Sequence, residues 1–412
     1  MLLKSLTVAD PQSPFNGQTV DILLNNGRIV EIGQNVKADG ETKTFEAGTF
    51  ISPGFFDLHV HFGEPGLEIN ETLESGSRAA LAGGFTGVCL MPDTNPALDS
   101  RTSIEFVKSR ATKLPINIFP AGTISVSRDG KDMAEMYDMQ QGGAVAFTDH
   151  KRSLADPGLM QRSLLYAKGI NALVMNFPQV KELCHGGLMN EGITSTMLGM
   201  KGLPNIAEYL CVNRDIALCR YLDTTMHISC ISTAESVELI REAKQKGLKI
   251  TCDVSAHNLF FTDKELNTFD SNLKLSPPVR TAKDIKALIA GLKDNTIDAI
   301  SSDHRPENIE NKNVEFDYAS NGAIGLESFF GQIYKVLEKE IPLSQIIELI
   351  ALNPRNILGI EKPSIQKGAK AEFTIFNTKE EWTFEEADIK SKSKNSPVVG
   401  RELKGKVVTV IN

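Results

Sequence analysis

Eight short apolar runs, each followed by a longer amphipathic segment, constrain the fold of this 412-residue chain more than any other feature. The first is GTFISPGFFDLHVH, ending at His61. The others are FTGVCLMP (85–92), INIFPAGT (116–123), GAVAFTD (143–149), NALVMNF (171–177), TMHISCIS (225–232), KITCDVSAH (249–257) and IDAISSDH (297–304). The intervening segments carry helix signals. STAESVELIREAKQKG (232–247) starts with Ser and Thr, has an early Glu and ends at Gly, the usual start and stop of a helix. Regular strand–helix alternation implies a parallel sheet, and eight repeats imply a closed (β/α)8 barrel of the TIM type.

The flanks differ in character. Residues 1–51 contain TVDILLNNGRIVEIG and TKTFEAGTF, and residues 355–412 contain SIQKGAKAEFTIFN and LKGKVVTVIN. These are short alternating strands with turn dipeptides. The expected organisation is a barrel over 52–354, with 1–51 and 355–412 pairing as one small β-sandwich. Composition narrows the partners. A net charge of −8 argues against nucleic acid or an anionic membrane surface. No apolar run is long enough to span a bilayer. The N-terminus lacks a secretory pattern, and the six cysteines form no CxxC pair. Reduced thiols in a cytoplasmic protein are therefore expected.

Function in such a barrel belongs at the C-terminal ends of the strands. Strand one ends in His59 and His61, whose i, i+2 spacing puts both imidazoles on one side of the strand. Two neutral imidazoles are good zinc ligands. Strand eight ends in Asp303, a candidate third ligand or general base. A histidine pair on a strand is more often non-catalytic, and Asp303 is what brings the two readings level. His185, His227 and His257 read as loop or packed structural histidines.

PGFFDLHVHFGEPG, ETLESGSRAALAGGFTGVCLMPDTNP, GGLMNEG, GLPNIAE, LSPPVR, GLKDNTIDAISSDH and ALNPRNILGI follow one another in this order. Together they resemble the class I dihydroorotases of the amidohydrolase superfamily over nearly the whole chain. The resemblance implies hydrolysis or formation of a cyclic amide in pyrimidine biosynthesis, and one or two Zn2+ at the barrel mouth. The family's ligands are the HxH pair, a bridging carboxylate at strand four, histidines after strands five and six, and an aspartate after strand eight. His59, His61 and Asp303 match. Asp149 lies at or beside the bridging position. Asn176 stands where the strand-five histidine belongs, and Cys230 where the strand-six histidine belongs. A thiolate can bind zinc, whereas an amide oxygen is a poor ligand. A buried small side chain is the plainer role for Cys230. At most one Zn2+ per chain, or none, is the expectation.

The substrate side also departs from the family. Gly63 replaces an arginine, Asp93 an asparagine, Glu307 a histidine, and Ser276 the asparagine before the Pro-Pro pair. Loss of a donor to a charged group costs about 1.5–3 kcal/mol, and the two new acids are expected to repel an anionic substrate. Arg305 adds one cation at a different place. Three readings follow. One is a non-catalytic pseudo-dihydroorotase associating with aspartate carbamoyltransferase. Another is a mononuclear cyclic amidohydrolase of altered substrate, with Asp303 as general base. The third is dihydroorotase itself. A homodimer or higher oligomer is expected in each.

Overall fold

The computed structural model describes all 412 residues. Its barrel strands are Phe55–Val60, Phe85–Leu90, Asn117–Pro120, a bridge at Phe147, Met175–Asn176, Met226–Ile228, Ile250–Ser255 and Ala299–Ser301. Parallel pairing runs from strand one through strand three and from strand five through strand eight. Bridges from Gly122 to Phe147, from Phe147 to Val174 and from His304 to Val60 close the ring. Every residue of FFDLHV in strand one is buried, because a strand in a closed parallel barrel is covered on both faces. Strands one to five and eight contribute to one apolar cluster that includes Phe56, Leu58, Cys89, Ala146, Met175 and Ala299. A filled interior of this kind leaves only the mouth free for chemistry.

The helices pack outside. Ala234–Gln245 begins after Thr233, whose hydroxyl accepts from the Ser236 amide, and it buries Ser236, Val237, Ile240 and Ala243, a face of three- and four-residue steps. This matches the helix expected over 232–247. Further helices start at Thr72, Ser100 and Thr281 with the same type of cap.

The two ends of the chain meet, as their strand patterns suggest. Strands Leu2–Val8, Thr19–Asn25, Arg28–Gly33, Thr42–Thr44 and Thr49–Pro53 join Phe373–Thr383 and Glu402–Ile411 in one hydrogen-bonded seven-stranded sheet. Its own core is formed by Leu3, Leu6, Val20, Ile22, Ile51 and Phe373. The C-terminal segment is not all sheet. Asn353–Leu358 is helical, and buried Arg355 donates to the Gly54 carbonyl at 2.7 Å and to Glu372 at 2.7 Å, tying barrel to sheet. Residues 384–401 leave the sheet and cross to the barrel, where Ser391 and Lys392 bind the buried carboxylate of Glu71.

Candidate functional site at the barrel mouth

Four residues at the mouth lie in the left-handed region: Gly63 (φ 70°), His150 (φ 51°), Cys230 (φ 53°) and Asp303 (φ 51°). Non-glycine residues there are uncommon and cluster at functional sites. Asp303, Ser276 and Glu307 line one cavity of about 300 Å³, together with Lys151 and Arg305. His59, His61 and Asp93 are buried and do not line it.

The expected ligand set does not converge. His59 and His61 are each engaged by a carboxylate from another strand end. His59 Nε2–H donates to Asp253 Oδ1 at 3.0 Å, and His227 Nε2–H donates to the same oxygen at 3.0 Å. His61 Nδ1–H donates to Asp93 Oδ1 at 2.7 Å. Asp303 is paired with Lys151, whose Nζ lies 2.7 Å from Oδ1 and 2.9 Å from Oδ2. The same ammonium is 3.7 Å from Cys230 Sγ and sits over the Phe177 ring. Two of the family's ligand positions are thus bridged by a lysine.

The remaining expected ligands point elsewhere. Asp149 accepts from the amides of Ile124 (2.9 Å) and Ser125 (3.1 Å) and from the Ser125 hydroxyl (2.5 Å), so it is a loop anchor. Its neighbour His150 is buried, with Nε2 3.8 Å from Asp93. Asn176 donates to Asp215 at 2.6 Å on the helix Ile206–Leu222, outside the ring of strands. Cys230 is buried; burial pushes its thiol well up, with Lys151 pulling the other way. A neutral thiol is not the metal-binding form.

Electrostatics hold these pairs together. Burial opposes charge on Lys151, but Asp303 outweighs it and the ammonium titrates above the usual lysine value. Burial also opposes ionisation of Asp253, yet His59 and His227 hold it well below the carboxylate range. Burial works against the His59 imidazolium, and Asp253 and Asp303 more than offset that.

The substrate positions are corrected in one respect. Asp93 and Glu307 do not stand as two free acids against an anion. Arg305 Nη1 lies 2.6 Å from Asp93 and its Nε 3.5 Å from Glu307, so one guanidinium spans both. Glu307 also accepts from Asn311 at 2.9 Å. Arg305 is therefore committed to these two acids rather than left open for a carboxylate. Gly63 cannot simply be restored to arginine, because a Cβ there would lie 2.6 Å from the Leu67 carbonyl oxygen.

Sequence reasoning missed Lys151 and Asp253. An acid inside the apolar run ITCDVS was the available signal for Asp253. His227, read as a packed histidine, belongs to its cluster. His59, His227 and Asp253 are the group of three whose ligand atoms lie within 4.8 Å of one another. These three could hold one ion, at the cost of the two N–H donors that now face Asp253. The residues do not fit the two-metal arrangement, because Lys151 already supplies the cation between Asp303 and Cys230.

The fold has close counterparts among solved structures. The L-hydantoinase (dihydropyrimidinase) from Arthrobacter aurescens superposes with a TM-score of 0.87, covering 99% of this chain and 94% of that one at 21% identity. The dihydropyrimidinase from Brevibacillus agri gives 0.85 at 21% identity, covering 100% and 93%. At this identity the likeness defines the fold class alone, a TIM-type barrel with a sheet formed by the chain ends. Sequence comparison is more specific. Residues 48–236 match the family model described as Dihydro-orotase-like. A protein named dihydroorotase from Trichlorobacter lovleyi is 40% identical over 408 residues, covering 98% of this chain and 96% of its own. Another of that name from Acetivibrio thermocellus is 38% identical over 416 residues, covering 100% and 97%. The chain belongs to the dihydroorotase family.

Proposed function

We propose that this chain serves pyrimidine biosynthesis as a dihydroorotase-family protein without dihydroorotase turnover, and that it acts in association with aspartate carbamoyltransferase. The observation that carries the reading is the Lys151–Asp303 pair at 2.7 Å. An ammonium supplies the positive charge that the family's fold places at the mouth, but it has no open coordination position for water or a carbonyl oxygen. Three further features support the reading: the turned-away Asn176, the protonated Cys230 and the closed position at Gly63. The partner comes from the resemblance to pseudo-dihydroorotases.

On the comparisons alone the enzymatic reading stands better, because the full-length relatives quoted above carry the name dihydroorotase at 38–40% identity. That second reading requires the Lys151–Asp303 pair to open. One ion held by His59, His227 and Asp253 would supply Lewis-acid chemistry. His59 and His227 would then present Nε2 as acceptors, and Asp303 would be free to take a proton.

Assay of dihydroorotate hydrolysis and formation with added zinc separates the readings. Background rates are expected; a kcat/KM at or above about 10⁴ M⁻¹s⁻¹ would establish the enzyme. For the partner, co-expression with the aspartate carbamoyltransferase of the same organism should give co-elution in size-exclusion chromatography. Independent elution at low salt, with carbamoyltransferase activity unchanged, would remove that part of the proposal.

A further inference from the structure

Beside the mouth cavity, and sharing Lys151 and Gln179 with it, lies a larger cavity of about 640 Å³. It opens between the segments that follow strands three, four and five. Its lining contains Arg128, Lys131, Arg152 and Lys181, none of which has a carboxylate partner in an ion pair. That is unusual in a chain of net charge −8.

The arrangement is built rather than incidental. Arg128 is fixed by two bonds, from Nε (3.1 Å) and Nη2 (3.0 Å) to the Asp149 carbonyl oxygen. Arg152 Nη1 donates to the Arg128 carbonyl oxygen at 3.3 Å, which sets the second guanidinium beside the first. Of the two acids in the lining, Asp149 has both carboxylate oxygens occupied by Ile124 and Ser125, leaving Asp129 as the one open acid. With Lys151 balanced by Asp303, the four remaining cations against Asp129 and Asp149 leave an excess of two positive charges. Burial lowers the Arg128 pKa; Asp93 and Asp149 pull the other way, while repulsion from Arg152 and Arg305 adds to the lowering. Ala155 is the single apolar residue in the lining, so there is no face for a nucleobase or an acyl chain.

We propose that this cavity binds a small, wholly polar anion carrying phosphoryl charge, gripped by the Arg128 and Arg152 guanidinium groups and by Lys131 and Lys181. Guanidinium forks match phosphate oxygens in geometry and charge, and the volume suits a small-molecule ligand. The site does not depend on whether the barrel mouth is catalytic.

Calorimetric titration of the full-length chain with inorganic pyrophosphate, at ionic strength held constant with chloride, tests this. Succinate serves as a dicarboxylate comparison. Pyrophosphate should bind with a dissociation constant below about 1 mM and more tightly than succinate. The double substitution Arg152→Gln/Lys181→Gln should weaken it by at least about tenfold. Both side chains are exposed, and an unchanged melting temperature without ligand would show that the fold is kept. The paired substitution Lys367→Gln/Lys370→Gln, at a different cavity, should leave binding as it was. Equal affinity in the Arg152/Lys181 variant, or succinate binding as tightly as pyrophosphate, would overturn the proposal.

Discussion

Replacing Lys151 with methionine keeps most of the side-chain volume and removes the ammonium. At 2.7 Å and an effective dielectric of about 20, the gross attraction to Asp303 is about 6 kcal/mol. Only 13% of the Lys151 side chain and 14% of the Asp303 side chain are exposed, so desolvation takes back a large share of that figure. Asp303 left without a partner should still cost the fold about 2–4 kcal/mol. Urea unfolding followed by circular dichroism in the presence of a chelator reads this directly. Asp303→Asn alone should also destabilise, and asparagine tolerates the left-handed backbone at this position. The double variant should cost less than the sum of the two single ones by about 1–3 kcal/mol. Additivity within about 0.5 kcal/mol, or a Lys151→Met cost below that figure, would refute the claim that this pair holds the mouth together.

Other consequences are simpler to check. Gly63→Arg should destabilise the chain by about 1–3 kcal/mol without producing dihydroorotase activity, as chemical unfolding and the standard assay would show. Arg355→Met should cost about 3–5 kcal/mol by urea unfolding, because it removes the buried cation beside Glu372 and the donor to the Gly54 carbonyl. Burial pushes Lys312 down to about 8, below the value of the unfolded chain. The unfolded state therefore binds more protons between that pH and the ordinary lysine value, and stability should rise with pH through this window, by about 3 kcal/mol at most. In Lys312→Met the pH dependence of urea unfolding over the same range should be flatter.

The barrel was legible because its signal is local. Apolar runs and capped helices repeat eight times, and each can be read without knowing its neighbours. The terminal strands were legible for the same reason, although residues 384–401 gave no sign that they cross to the barrel. His59, His61 and Asp303 stand at strand ends where function was expected, but their partners depend on which strand ends become neighbours. Lys151 follows strand four and meets Asp303 from strand eight, a pairing that sequence spacing does not encode. Asn176 and Asp149 lie at the expected places in the chain, yet their side chains turn to Asp215 and Ser125. Arg305 was visible, but its position between Asp93 and Glu307 was not, so two acids read as free and repulsive in fact share one guanidinium.

Zinc stoichiometry tests the account most directly. The chain would be expressed and purified with added zinc, dialysed, and measured by elemental analysis beside His61→Ala and His227→Ala. At most one equivalent should be found; any that binds should survive His61→Ala and be lost in His227→Ala, since His227 and not His61 belongs to the one group with metal-ligand spacing. Two equivalents in the parent chain, with loss in His61→Ala, would contradict the claim that Lys151 has taken the place of a metal.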